Sequence, residues 1–373
     1  MIRLVEVKTK KQLSEFIKFP DKLYSGNKYR VPQLHFFEKS ALSRKKNPAF
    51  EFCEAKYWLA YKDGKLAGRI AGIINHKANE IWNEKTLRFG WIDFIDDTDV
   101  SAALINEVEQ WAKQNGLTKV AGPLGFTDMD LEGMLVEGFD EISTQIAIYN
   151  YPYYPAHLEK HGYTKDVDWI QFEINLPDKI PDKVWRVSQL VRQKYDLKVL
   201  EVKKAKDLLP YAGKMFNLYN ESLKDLYGFV PLSDRQIKYY TDQYFPVVNP
   251  KYTKFIVDKN NELVGFGFCF LSLSKALMKA KGSLFPFGFM HIYKALQKND
   301  TVDLIIQAIK PEYKAKGVPA LFYAEIIKAF IENGIKTAIS SSVLEYNKKS
   351  FLLFTNGYEK HHHMTRRAYK KDL

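Results

Sequence analysis

The residues of this chain best placed to do chemistry lie late in it. An apolar strand, Thr301 to Ile309, runs into Lys310-Pro311-Glu312-Tyr313-Lys314-Ala315-Lys316-Gly317-Val318-Pro319-Ala320, and a helix follows as far as Asn333. A loop closing onto a helix start turns main-chain N–H groups and the positive end of the helix dipole toward one point, and Lys314 and Lys316 add charge there. Such a point suits a diphosphate. Pro319 is compatible with it, because the first helical turn has no N–H bond to lose.

The elements that position this loop occur twice. Tyr61-Lys62-Asp63-Gly64-Lys65-Leu66-Ala67-Gly68, a strand, turn and strand signal, returns as Val257-Asp258-Lys259-Asn260-Asn261-Glu262-Leu263-Val264-Gly265, an offset of 197. The amphipathic run ending at Asn115-Gly116 returns with its Asn-Gly stop at Asn333-Gly334, an offset of 218. Tyr149-Asn150 returns as Tyr346-Asn347, again at 197. The second half therefore carries an insertion of about 21 residues, which Ser272 to Asp300 can supply, and the first half compensates between Gly122 and Ser143. Each copy reads as a strand, one or two helices, a hairpin, a central strand, a long helix, a strand, a short helix and a last strand. That order predicts a mixed sheet with helices on its faces. Between the copies, Pro177 and Pro181 precede a predicted helix, Lys183 to Lys194, that reads as a packed linker.

Length and composition agree with two globular domains: 373 residues, 46% apolar and 14% aromatic. The N-terminus lacks the apolar core of a signal peptide, and the longest apolar run, Leu263 to Leu271, is too short to span a bilayer, so a soluble, cytoplasmic protein is expected. Cys53 and Cys269 have no metal or disulfide spacing and read as buried thiols. His361-His362-His363 cannot converge on one ion, since neighbours on a strand point to opposite faces, and no metal is expected. Residues 1–170 carry 23 Lys/Arg against 24 Asp/Glu, whereas residues 171–373 carry 33 against 20. The basic excess belongs to the second half, which suits a phosphate-bearing partner.

The order of basic loop, Gly317, helix, strand (Lys336 to Val343), Asn347, Ser350 and Gly357-Tyr358 resembles the GNAT superfamily of acyl-CoA N-acyltransferases. That family's Gln/Arg-x-x-Gly-x-Gly/Ala loop is here Lys314-x-x-Gly317-x-Pro319, and its Asn-x-x-Ser/Ala element is Asn347-x-x-Ser350. The resemblance covers Leu197 to Leu373 and, through the repeat, most of Ile2 to Ile174. It implies an α/β fold of two tandem GNAT-like domains: 1–175 degenerate and on the substrate side, 176–196 a linker helix, and 197–373 with the cofactor loop. It further implies acyl-CoA or coenzyme A as cofactor. Gln307, Ala308 and Ile309 would hold the thioester and pantetheine arm. Lys314, Lys316, Gly317, Val318, Pro319 and Ala320 would hold the diphosphate, with Asn347 and Ser350 following. The activity implied is transfer of an acyl group, acetyl in the first instance, to a small-molecule or peptide amine. The family's frequent acid tyrosine falls at Leu353, with Phe354 beside it, and neither can donate a proton.

The first copy departs where phosphates would sit. Its central strand, Phe89 to Ile95, leads into Asp96-Asp97-Thr98-Asp99, with Asp99 reading as a helix N-cap and no glycine present. Loss of the cofactor site there resembles the tandem N-myristoyltransferases and Fem aminoacyl transferases. For a general base the candidates are Glu345 and Glu312. The acidic insertion with Asp128, Asp130 and Glu132 is the candidate wall for a cationic amine. Two other readings stand beside acyl transfer from acyl-CoA. One is a Fem-type transferase using aminoacyl-tRNA, which the basic half permits but the compact phosphate loop disfavours. The other is a non-catalytic coenzyme A-binding or interaction protein. No DNA-reading helix is found.

Overall fold

The computed structural model describes residues 1–347 and 359–373. The first repeat folds as strand β1 (Ile2–Glu6), helices α1 (Lys10–Leu23) and α2 (His35–Ala41), the hairpin β2 (Cys53–Lys62) and β3 (Lys65–Asn75), and helix α3 (His76–Ile81). The central strand β4 (Thr86–Phe94), long helix α4 (Thr98–Gln114), strands β5 (Lys119–Gly122) and β6 (Met134–Glu137), helix α5 (Tyr153–Lys160) and strand β7 (Thr164–Asn175) complete it. After helix α6 (Asp182–Lys194) the same order returns. Strand β8 (Lys198–Val199), helices α7 (Ala212–Leu223) and α8 (Asp234–Tyr244) and the hairpin β9 (Thr253–Val257) and β10 (Leu263–Leu271) come first. Helices α9 (Ser274–Ala280) and α10 (Gly288–Gln297) occupy the expected insertion. Central strand β11 (Thr301–Ile309), the turn α11 (Pro311–Lys314), long helix α12 (Val318–Glu332) and strands β12 (Thr337–Ile339), β13 (Val343–Leu344) and β14 (Lys360–Asp372) close the chain.

The fold class is α/β with a mixed sheet, and the duplication is visible in the register. Central strand β4 pairs in parallel with β5 from Thr86↔Lys119 to Arg88↔Ala121, and β11 pairs in parallel with β12 from Thr301↔Thr337 to Asp303↔Ile339. Both long helices stop alike, at Asn115 with Gly116 at φ +69° and at Asn333 with Gly334 at φ +70°.

Two compact units result. One comprises Met1–Ile170, Leu273–Lys294 and His363–Leu373; the other comprises Gln171–Ser272 and Ala295–His362. In the first, β1, β2, β3 and β4 are joined antiparallel, with α4 and α1 covering opposite faces. Apolar residues recur every three or four positions on α4, so Val100, Leu104, Val108 and Trp111 form one stripe that packs with Ile70, Leu87 and Phe89. Burying each such side chain contributes roughly 1.5–3 kcal/mol. On the other face Phe16 and Ile17 pack with Leu59, Ala71 and Ile73. In the second unit Leu321, Phe322, Ile326 and Phe330 of α12 pack on Val264, Leu271 and Val302, together with Val191 of α6.

The chain changes unit four times, two of them inside a strand. β7 is in the first unit as far as Ile170 and in the second from Gln171, where its end pairs with β12 from Ile339↔Glu173 to Thr337↔Asn175. From His363, β14 belongs to the first unit and pairs with β5 from Tyr369↔Gly122 to Asp372↔Lys119 and with β6 at Arg367↔Met134. The last strand of each repeat thus completes the sheet of the other. Asp168 accepts two bonds from Arg367, at 2.8 and 3.0 Å, and Asp166 lies 2.9 Å from Lys370, ion pairs that fix β14 against β7.

Removing residues 363–373 takes the buried Met364, Arg366, Ala368 and Tyr369 out of the first unit and bares the edge of β5. The shortened chain is expected to lose the cooperative unfolding transition of that unit, read by near-ultraviolet circular dichroism. A transition unchanged in midpoint would show that the exchanged strand is dispensable.

Candidate functional site

Among the described residues, a short parallel pairing leaves an opening in the second unit. Asp303↔Ile339 is the last pair between β11 and β12, yet β11 continues to Ile309 along β10. Beyond Ile339 the chain turns to β7: Ser340 N donates to Phe172 O at 2.8 Å, and Gln171 Nε2 donates to Ser340 O at 2.8 Å. Lys310 N donates to Val264 O. By the alternation of an antiparallel ladder, the main-chain groups of Gln307 and Ile309 then face away from β10 into the opening. Ser222 of α7 reaches this edge, its hydroxyl 3.4 Å from Ile309 O. Tyr323 Oη donates to Gln307 Oε1 at 3.0 Å, fixing that side chain against α12. A shallow depression lined by Lys214, Asn217, Glu221, Glu262 and Lys310 lies beside the same strand end.

From Ile309 the chain runs through α11 to Gly317, the N-cap of α12, where φ is +79° and no side chain caps the helix. A side chain at 317 would be strained in that left-handed backbone, and its Cβ would lie 3.1 Å from Val191 Cγ2. Ala320 N donates to Gly317 O, and Val318 and Pro319 are buried beneath the turn. Lys314 is exposed. Lys316 is exposed as well, but its ammonium lies 4.5 Å from the Tyr313 ring centre and 5.4 Å from that of Tyr195, so aromatic faces hold it. Glu312 is exposed, and Glu345 is half-buried in the turn after β13, where Asn347 N donates to Leu344 O. Ser350, like Leu353, Phe354 and Gly357-Tyr358, lies outside the described residues.

One carboxyl of this unit escaped the sequence reading. Asp303, on β11 at its last pairing with β12, is 1% exposed, and burial pushes its pKa up to about 7, the Ser272 hydroxyl pulling the other way. Its signal is a single carboxylate in the apolar run Thr301-Val302-Asp303-Leu304-Ile305-Ile306. Only the strand's neighbours tell such a residue from a solvent-facing one.

The first unit has the same opening and closes it from within. Leu124 N donates to Phe89 O at 2.7 Å, and a Cβ on Gly122 would lie 2.2 Å from that carbonyl, so glycine is required at the turn out of β5. At the far end of β4, Phe94 N donates to Tyr154 Oη at 3.0 Å, and Phe94 O accepts from Tyr153 Oη at 2.6 Å. Behind them Tyr24 Oη donates to Asp93 Oδ1 at 2.9 Å, and Asp93 pairs with buried Arg69 at 2.7 Å. Burial, then Asp93, hold the phenols of Tyr24 and Tyr154 well above their usual pKa.

The helix start differs in kind from that of α12. Asp97, not Asp99, is the N-cap of α4: its Oδ1 accepts from Asp99 N and Val100 N, both at 3.1 Å, and its other oxygen pairs with Lys62. Both aspartates suit a cap by type; the extended backbone of Asp97 and its lysine partner make the choice. Asp130 turns inward, accepting from Phe126 N at 2.9 Å and Thr127 N at 3.1 Å, and burial pushes its pKa up to about 6. Burial and then Asp128 push half-buried Glu132 to about 8. Asp128, Asp130 and Glu132 thus form a largely enclosed group. Ser101, His157 and Asp96 form a serine–histidine–aspartate chain with spacings of 2.8 and 3.0 Å. Ser101 is 0% exposed and donates to Thr98 O, so it ties α4 to α5 instead of meeting a substrate.

Comparisons with known proteins bear on this geometry. Over 345 residues the chain is 27% identical to Protein YghO of Escherichia coli (strain K12), covering 91% of this chain and 87% of that one. Over 382 residues it is 24% identical to the bacterial ceramide synthase of Caulobacter vibrioides (strain NA1000 / CB15N), covering 100% of this chain and 98% of that one. A solved tandem GNAT protein from the clavulanic acid biosynthesis pathway superimposes with a TM-score of 0.55 at 10% identity, over 100% of this chain and 98% of that one. No family model matches the chain.

Two outcomes are expected from the site geometry. Asp97→Ala should lower stability by about 1 kcal/mol through loss of the cap, measured from the denaturant midpoint at constant m. Asp303 binds its proton more tightly folded than unfolded, so it lowers stability as pH rises from the unfolded carboxylate range to about 7, and no further above that. Asp303→Asn should flatten this decline in thermal scans between pH 4 and 8; an unaltered pH dependence would refute the assignment.

Proposed function

We propose that this chain, whose fold is the tandem GNAT fold of acyl-CoA N-acyltransferases, moves an acyl group from an acyl-CoA thioester to an amine, with the second unit holding the thioester. One observation carries the reading. The strand that opens beside Gln307 and Ile309 runs directly into a helix start with a left-handed glycine and no side-chain cap. Main-chain hydrogen-bonding groups and a positive helix end, which suit the thioester arm and the diphosphate of an acyl-CoA, are therefore offered by one continuous stretch. The first unit consumes both, with Tyr153 and Tyr154 at the strand and Asp97 at the helix.

The thioester would supply an activated acyl carbonyl. Gln307, Ala308 and Ile309 would align it through their main chain, where preorganised donors are worth most. Gly317, Val318 and Ala320 would meet the diphosphate, with Pro319 shaping the turn and Lys314 adding charge. Asn347 would stand beyond the loop, with Ser350 after it. Lys316 reaches the same region only by leaving its aromatic faces. For the proton of the attacking amine, exposed Glu312 and half-buried Glu345 are the candidates. The name of the Caulobacter relative describes formation of a ceramide, an amide of a long-chain amine. It supports amide-forming chemistry and favours a long-chain donor over acetyl-CoA.

Thermal unfolding with acetyl-CoA, palmitoyl-CoA and tRNA tests the reading. A true ligand stabilises by about 2.7 kcal/mol at a hundredfold excess over its Kd. Palmitoyl-CoA is expected to stabilise the protein, and Lys314→Glu to weaken that effect, while Asp99→Lys in the first unit leaves it intact. Stabilisation by tRNA alone would favour aminoacyl transfer, and none with any coenzyme A species would refute the proposal.

A further inference from the structure

The insertion between β10 and β11 has a composition unlike the rest of the chain. From Ser272 to Asn299 there are five lysines and no acidic residue. Its residues 273–294 fold with the first unit. Helix α9 buries Ala276, Leu277 and Ala280, while its Lys275 and Lys279 are exposed. The turn after it is firmly seated: Gly282, at φ +76°, accepts from His35 N at 3.0 Å, and a Cβ at that position would lie 2.7 Å from His35 Nε2. Ser283 Oγ donates to Phe285 O at 2.9 Å, and Gly288 is buried against Ser283.

Beyond this anchor the large side chains face water. Phe285 is 78% exposed, Phe287 68%, Tyr293 64%, Phe289 48% and Met290 44%. Leaving several such groups in water, each of which would gain roughly 1.5–3 kcal/mol on burial, marks a surface meant to be covered. The anchored backbone fixes where they project, and exposed Lys279, Lys281 and Lys294 surround them. Two copies of the chain meeting here would bring lysines onto lysines with no acidic residue in the segment to answer them.

We propose that this segment docks the protein on an anionic membrane surface, the aromatic rings entering the headgroup boundary and the lysines meeting lipid phosphates. Aromatic and apolar side chains beside a basic rim are the composition of interfacial anchors. Among the described residues no helix is long and apolar enough to cross a bilayer, so the contact is with the surface. The proposal goes beyond acyl transfer and does not require it.

Co-sedimentation of the full chain with phosphatidylcholine vesicles, with and without phosphatidylglycerol, tests it. Binding is expected on the anionic vesicles and should weaken as salt rises. The triple variant Phe285→Ser, Phe287→Ser, Phe289→Ser should lower partitioning by roughly tenfold or more. Lys279→Glu with Lys281→Glu and Lys294→Glu should lower it similarly on anionic vesicles. Unchanged thermal midpoints in vesicle-free buffer show that both variants remain folded. No binding to either vesicle, or equal binding by the wild type and both variants, would overturn the proposal, as would concentration-dependent dimerisation lost in the aromatic variant without vesicle binding. Stabilisation by acyl-CoA in vesicle-free buffer reports on cofactor binding separately.

Discussion

A parallel pairing only three residues long governs each repeat. The central strand and the strand after its helix share register from Thr86 to Arg88 in one copy and from Thr301 to Asp303 in the other, and then part. Every strand edge left in this way presents main-chain donors and acceptors that need partners. Where those partners come from decides what each copy can do.

In the first unit they come from the chain itself. Tyr153 and Tyr154 bond both main-chain groups of Phe94, and the buried set of Tyr24, Asp93 and Arg69 holds the phenols in place. A buried ion pair of this kind adds little to stability by itself, but removing one partner would strand the other's charge, so the filled edge is difficult to reopen. In the second unit the corresponding edge lies beside Ser222 and Tyr323, with a carboxyl at its root whose neutral form is favoured by burial. The same division appears at the helix starts, where a carboxylate caps one and a left-handed glycine begins the other.

Exchange of the last strands couples the two repeats through the chain. Because β7 ends in the second unit and β14 in the first, each sheet is completed by a segment distant in sequence. Closing such long loops costs entropy before any contact repays it.

Local order made much of the fold legible. The two hairpins, the Asn-Gly helix stops, both insertions and the helix from Asp182 are set by turn chemistry and apolar periodicity, which act over a few residues and survive in any sequence that repeats them. The loop from Lys314 to Ala320 was legible for the same reason. What the sequence could not carry was which strand completes which sheet, since β7 and β14 would read identically whether they stayed home or crossed. Nor could it show that Lys316 rests on tyrosine rings, that Asp130 faces inward, that Asp97 takes the cap or that Asp303 is buried. Those outcomes depend on neighbours brought in from far along the chain, and desolvation and hydrogen bonding to such neighbours are properties of the folded surface. The sequence by itself determined a duplicated α/β chain with one basic glycine loop; the tertiary structure alone decided that one strand edge is sealed by tyrosines, whereas among the described residues the other meets no such pair.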